Sequence, residues 1–215
     1  MRGISIQRLH CLTTDRSETG HVEQVEALCV AGARWIQFRM KGADLAEWIS
    51  VARPVVEVCR RHAVTLIVND SIEVALAAGA DGVHLGRDDC HPSEARRLLG
   101  PDAIVGATAH DRDEVRQAVA SGVVDYLGVG PFRSSPTKGD FLPPLKEPEL
   151  GSLLELAGDL PAVVIGGVTP LDVTNLISRG AHGVAVCSAL LEKGDLKGNL
   201  KTVLSSFEKA MEMAA

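Results

Sequence analysis

No stretch of this 215-residue sequence approaches the length of a membrane span, and its first ten residues, MRGISIQRLH, hold no apolar core of signal-peptide size. The five cysteines (Cys11, Cys29, Cys59, Cys90, Cys187) are odd in number, scattered, and never in CxxC spacing. That excludes a disulfide framework or a cysteine-based zinc site and fits reduced thiols, so the expected location is the cytoplasm. Positive charge is also scarce. With 22 Lys+Arg against 28 Asp+Glu the formal net charge is −6, which argues against nucleic acid or an anionic membrane as the main partner. An anionic ligand must therefore meet local positive charge, or charge brought by a metal. No linker, low-complexity tract or charge block marks a boundary, and the whole of residues 1–215 reads as one domain. What is present is a hydrophobic content of 46%, ordinary for a globular protein.

The stretch LIVNDSIEVALAAGADGVHLGRDD, residues 66–89, sets the pattern for the rest. A short apolar run ends on Asn69-Asp70, a helical segment stops at Gly79, and a second apolar run, Gly82-Val83-His84-Leu85, ends on Gly86 and Asp88-Asp89. Strand, helix, strand in so short a space requires parallel strands, whose C-terminal ends share one edge. Asp70 and Asp89 therefore meet at that edge, as a hard-cation site suited to Mg²⁺. The same rhythm of helix end, glycine and buried strand recurs before Trp35–Arg39, Tyr126–Val129 and Val184–Val186. With strands at Leu9–Thr13, Thr65–Val68, Ala103–Gly106 and Ala162–Ile165, the count reaches eight, at roughly 25 residues per unit. This predicts an α/β fold, a single (β/α)₈ TIM barrel. A doubly wound sheet is the runner-up, but the first strand ends in Thr13-Thr14-Asp15 without the Gly-rich turn that fold favours. Residues 130–148 carry several prolines and read as a functional loop, and Leu196–Met213 reads as the closing amphipathic helix.

In such a barrel the site lies at the C-terminal ends of the strands. Strand two ends in QFRMK, and alternation sends Gln37, Arg39 and Lys41 to one side, Phe38 and Met40 to the other. Inward cations there require an anion. Strand three offers Asn69 and Asp70, strand four Asp89, and strand five Thr108 and His110. The loop after strand six, GPFRSSPTK, interleaves Ser135 and Thr137 with Arg133 and Lys138, a composition suited to phosphate oxygens. Strand seven ends in Gly166-Gly167, where missing side chains let backbone N–H groups approach a ligand. Strand eight ends in Cys187-Ser188, ahead of helix-forming residues, completing a phosphate cup. One anion site thus suits a monophosphate and the other a diphosphate carried with Mg²⁺, which points to a two-substrate transfer that releases diphosphate. His84, His91 and His182 read as core or surface residues, Trp35 as packing, and no nucleophile–base pair stands out.

The runs QFRMK, NDSIEVALAAGADGVHLGRDD, GATAH, GVGPFRSSPTK and VVIGGVTP…GVAVCSAL, in this order, resemble thiamine-phosphate synthase from end to end. The resemblance implies condensation of hydroxymethylpyrimidine diphosphate with thiazole phosphate to give thiamine phosphate and diphosphate, by a dissociative, Mg²⁺-assisted route. It implies that Gln37, Arg39, Lys41, Asn69, Thr108 and Lys138 hold the pyrimidine diphosphate, with Arg39, Lys41, Thr108 and Lys138 as the catalytic set. It also implies Asp70 and Asp89 as Mg²⁺ ligands, and Ser135, Thr137, Gly167, Cys187 and Ser188 around the thiazole phosphate. The expected partners are small-molecule substrates, with no nucleic acid and no membrane, and with room for a homo-oligomer. The sequence departs from the family pattern at Met40, Arg87, Thr108 and Ser135; Arg87 puts a cation beside Asp89. Two alternatives stand beside this reading. A thiazole tautomerase on the same barrel would use His110 but has no need of Arg39, Lys41, Asp70, Asp89 and Lys138 together. A non-catalytic thiazole-phosphate sensor would keep the phosphate cup beside a degraded metal site.

Overall fold

Four-residue apolar strands cannot persist alone, and here each is paired on both sides. The computed structural model describes residues 6–134 and 143–214. Its strands are β1 (Leu9–Leu12), β2 (Trp35–Phe38), β3 (Thr65–Asn69), β4 (Gly82–Leu85), β5 (Ile104–Ala109), β6 (Tyr126–Val129), β7 (Ala162–Val164) and β8 (Gly183–Val186). All pairings are parallel and run in sequence order. β8 returns to β1 through Leu9↔Val184 and Cys11↔Val186, so the sheet is a closed barrel without an edge. The helices are α1 (His21–Val30), α2 (Leu45–Arg61), α3 (Ile72–Ala78), α4 (Pro92–Leu99), α5 (Arg112–Ser121), α6 (Glu147–Ala157), α7 (Val173–Ser178) and α8 (Leu196–Ala214). The expected (β/α)₈ barrel is the fold observed. Gly79 (φ 73°) and Gly122 (φ 63°) end α3 and α5 in the left-handed conformation that lets the chain turn back into the next strand. No helix among the described residues is long and apolar enough to cross a membrane.

The apolar side chains form two layers, because strand residues alternate between the helix side and the barrel interior. Phe38, Val68, Leu127, Val164 and Val186 face the helices, while Leu12, Trp35, Ile67, Ile104, Tyr126, Val163 and Ala185 fill the barrel. The interior also holds polar rings. His10 stacks on Trp35 with centroids 3.6 Å apart and planes 3° from parallel, and Tyr126 meets Trp35 edge-on at 4.7 Å. Burial, reinforced by nearby His84, holds the His10 pKa well below its ordinary value, so this imidazole is neutral. Gly106 makes room for this packing. A Cβ there would lie 2.2 Å from the Tyr126 ring.

Candidate active site

The strand exits open into one cavity of about 610 Å³. Of the site residues singled out from the sequence, these line it: Gln37, Arg39 and Lys41 at the β2 exit, Asn69 and Asp70 at the β3 exit, Asp89 after β4, Thr108 from β5, and Gly167, Cys187 and Ser188 after β7 and β8; Arg133 does not. His110, Arg87 and Asp88 line it as well. Ser135, Thr137 and Lys138 lie outside the described residues.

The floor is neutral and hydrogen-bonded. Gln37 and Asn69 are buried, at 1% and 6% exposure. Gln37 rests against the Tyr126 hydroxyl, yet its Nε2 has no partner among the described residues. A buried amide donor without a partner is costly unless a ligand acceptor meets it. His84 stands beside it, with Nδ1 3.0 Å from the Tyr126 hydroxyl and Nε2 3.1 Å from Thr108 Oγ1. The sequence reading took His84 as a core or surface residue, and it is buried. The structure puts it on the cavity wall, and the signal was its alternation with Val83 and Leu85 together with its pairing to Asn69.

One side of the rim is charged. Asp70 adopts a left-handed backbone (φ 66°), its N–H donating to the His84 carbonyl at 2.8 Å, and its Oδ2 is paired with Lys41 Nζ. Asp89 accepts the Gly86 N–H through Oδ2 at 2.6 Å. Burial pushes its pKa up to about 6, with the neighbouring Asp70 charge adding to the rise and the Gly86 bond opposing it. Arg87 turns to Glu114, with Nε 2.7 Å from Oε1, and the other Glu114 oxygen accepts the His110 N–H at 2.6 Å. The cation is thus bound across the β4 and β5 exits. His110 Nδ1 lies 3.0 Å from the Gly130 carbonyl; that oxygen can only accept, so Nδ1 carries the proton and Nε2 is the basic nitrogen.

The opposite side of the rim is built from glycines, for a reason the sequence reading did not anticipate. Gly166 (φ 95°) and Gly167 (φ 64°) take left-handed backbones. A Cβ on either would come within 2.7 Å of Pro131 or 2.8 Å of Arg133. The missing side chains therefore let the β6 loop cross over β7, in addition to leaving backbone exposed to a ligand. Arg133 was expected to serve phosphate. Instead its two terminal nitrogens grip Asp172 at 2.5 and 2.6 Å, and one also donates to the Gly167 carbonyl at 3.2 Å. It fastens the loop rather than offering free charge. Cys187 and Ser188 lead into a single 3₁₀ turn, Ser188–Leu190, not the α-helix expected there.

The family described as thiamine monophosphate synthase matches residues 9–190. The bifunctional thiamine biosynthesis protein ThiM/ThiE of Symbiobacterium thermophilum is 44% identical over 86% of this chain, which spans only 38% of that relative's length. The thiamine-phosphate synthase of Chloroflexus aurantiacus is 39% identical over 88% of this chain and 87% of its own. Among solved structures, the thiamine phosphate pyrophosphorylase from Pyrococcus furiosus superposes with a TM-score of 0.84 at 27% identity, covering 95% of this chain and 96% of that one.

Proposed function

The chain belongs to the thiamine monophosphate synthase family of transferases, and from that premise we propose how its barrel mouth joins hydroxymethylpyrimidine diphosphate to thiazole phosphate. The observation that carries the assignment of the two halves is their separation across one cavity. Arg39, Lys41, Asp70 and Asp89 lie at the exits of β2, β3 and β4, the Gly166–Gly167 and Cys187–Ser188 pairs lie at the exits of β7 and β8, and the Gln37 amide is buried at the base. A charged side suits a diphosphate, a backbone-lined side suits a monophosphate, and the floor suits a nitrogen heterocycle.

In this reading the Gln37 Nε2–H donates to a pyrimidine ring nitrogen, and Asn69 and Thr108 flank the same ring. Arg39 and Lys41 meet the diphosphate, joined by Lys138 as the family resemblance implies. The methylene carbon–oxygen bond breaks and its electron pair leaves with the diphosphate. The cation that remains is stabilised by the pyrimidine, and the thiazole nitrogen lone pair forms the new carbon–nitrogen bond. No proton has to move and no protein nucleophile is consumed. Gly167, Cys187 and Ser188 present backbone groups to the thiazole phosphate, with Ser135 and Thr137 beside them by resemblance.

The donor set fits Mg²⁺. Asp70 and Asp89 come from adjacent strands, supply hard oxygens, and lie close enough for the charge of one to hinder ionisation of the other. A divalent cation relieves that conflict. Among the described residues no cluster of three His, Cys, Asp or Glu is present, which suits an ion held by two carboxylates and substrate oxygens. When bound, the ion supplies charge that offsets what develops on departing diphosphate. The five thiols, all free, support a cytoplasmic setting.

The test is direct. Purified protein incubated with both phosphorylated halves and Mg²⁺ should yield thiamine phosphate and diphosphate in equal amounts. Absence of both products, with the two substrates recovered unchanged, would overturn the proposal.

A further inference from the structure

The loop after β1, Thr13 to Thr19, takes no part in the reaction described above, yet it is held more tightly than a connecting loop requires. Thr13 and Thr14 are buried, and two residues of α1 on one helical face, His21 and Gln24, are buried against them. Gln24 accepts the Thr14 N–H at 3.0 Å and donates to the Thr14 and Thr19 carbonyls at 2.9 Å each. His21 lies between Thr13 and Asp15, with Nδ1 2.9 Å from Thr13 Oγ1 and Nε2 2.9 Å from Asp15 Oδ1. Its ring meets Phe38 edge-on at 5.0 Å.

Both ends of this arrangement reach β2. The ladder between β1 and β2 stops where the Thr13 N–H donates to the Gln37 carbonyl. Beyond that point Arg39 and Lys41, alternate residues of an extended chain, still aim their N–H groups at β1, where no strand remains. Side chains replace it. Thr13 Oγ1 accepts the Arg39 N–H at 3.0 Å, and Asp15 Oδ2 accepts the Lys41 N–H at 3.0 Å. The proton assignment is consistent throughout. A carboxylate only accepts, so His21 Nε2 carries a proton toward Asp15, and Nδ1 pairs with the Thr13 hydroxyl.

We propose that Thr13, His21 and Asp15 are positioning residues that extend the sheet by side chains and so fix Arg39 and Lys41 toward the diphosphate. This rests on the assignment of Arg39 and Lys41 to the diphosphate made above. The chemical logic is that two long, flexible cations recognise an anion well only when their backbone origin is rigid. Thr13 and Asp15 contact no substrate themselves and act through the β2 exit.

Thr13→Val keeps the shape and removes the hydroxyl, leaving the Arg39 N–H and His21 Nδ1 without their partner. It should raise the KM for the pyrimidine diphosphate about tenfold and change the KM for thiazole phosphate by less than about twofold. Thr13→Ser, which restores the hydroxyl, should return both values to within about twofold of wild type. Asp15 is on the surface, so Asp15→Ala carries the same test through the Lys41 N–H should Thr13→Val fail to fold, and it should show the same split between substrates. Arg39→Ala is the control for the underlying assignment. If it raises the pyrimidine-diphosphate KM while Thr13→Val and Asp15→Ala do not, the positioning role is overturned and the assignment stands. If the loop variants raise both KM values equally, the loop is merely structural and the inference also fails. If Arg39→Ala leaves the pyrimidine-diphosphate KM unchanged, the assignment itself fails and the inference with it.

Discussion

The Lys41 ammonium rests on the Asp70 carboxylate, tying the exit of β2 to that of β3 across the cavity rim. Lys41 is half-exposed and Asp70 is the less accessible partner, so the pair joins a solvated cation to a carboxylate on a left-handed backbone. Its value to stability is modest, because exposed pairs typically contribute about 0–1 kcal/mol. On the proposed assignment it places opposite charges where a diphosphate and its counter-ion would meet.

Asp70→Asn separates charge from conformation. Asparagine tolerates the left-handed backbone nearly as well as aspartate, so the thermal midpoint should stay within a few degrees of wild type. Turnover should fall on the order of a hundredfold or more, because a carboxylate facing a metal-borne diphosphate is lost. Chelation of wild type with EDTA should have the same effect on rate. Full turnover in EDTA would remove the metal from the account.

Gly167→Ala should be harmful twice over. The new Cβ would sit 2.8 Å from Arg133 Cβ on a backbone with φ 64°. Overpacking and backbone strain each cost about 1–2 kcal/mol, so urea unfolding should show a clear loss of stability. The KM for thiazole phosphate should rise more than that for the pyrimidine substrate, since the displaced backbone lies on the side proposed for the monophosphate.

Asp172 offers a stability test with a defined pH sign. Burial works to raise its pKa, but the paired Arg133 guanidinium and the Thr169 hydroxyl and N–H outweigh it and hold the carboxyl below its ordinary value. A depressed folded-state pKa contributes stability that is fully present above the unfolded value of about 3.9 and is lost as pH falls through the folded value. Asp172→Asn should therefore be less stable than wild type at pH 7. The gap should close as pH drops from about 4 toward 2, read by denaturant midpoints at each pH.

His110→Asn distinguishes condensation from isomerisation. The asparagine amide can still donate to the Gly130 carbonyl that His110 Nδ1 now engages, but it cannot carry a proton near neutrality. Thiamine phosphate formation should stay within about tenfold of wild type, whereas loss of a general acid–base group costs about 10²–10⁴-fold. A thousandfold drop, or isomerisation of thiazole carboxylate phosphate by wild type alone, would favour the tautomerase.

Much of the site is legible in the sequence because parallel strands end on one side and side chains alternate. Gln37, Arg39 and Lys41 share a face by period two, and the shared edge of β3 and β4 brings Asp70 to Asp89. What escaped depends on contacts between distant segments. His84 looks like any strand histidine until Tyr126 and Thr108 are placed around it. Arg133 looks free until Asp172 is brought to it from 39 residues away. Gly166 and Gly167 read as ligand-facing, while the crossing of residues 131–133 that also demands them is a tertiary fact. Thr13 and Asp15 carry no local signal, since their acceptors serve N–H groups 26 residues further along.

The packed rings of His10, Trp35 and Tyr126, the first two stacked and the third edge-on, close the barrel bottom, with each residue no more than 2% exposed. Among the described residues, the cavity is therefore closed at its base. Whatever lies against Gln37 is trapped beneath whatever settles later across the rim, so the order of arrival is dictated by depth. On the proposed assignment, the pyrimidine substrate should enter first and the thiazole second, and product should leave before the next pyrimidine enters. Initial-rate patterns should show this ordered sequence, with thiamine phosphate competing against the pyrimidine diphosphate rather than against the thiazole.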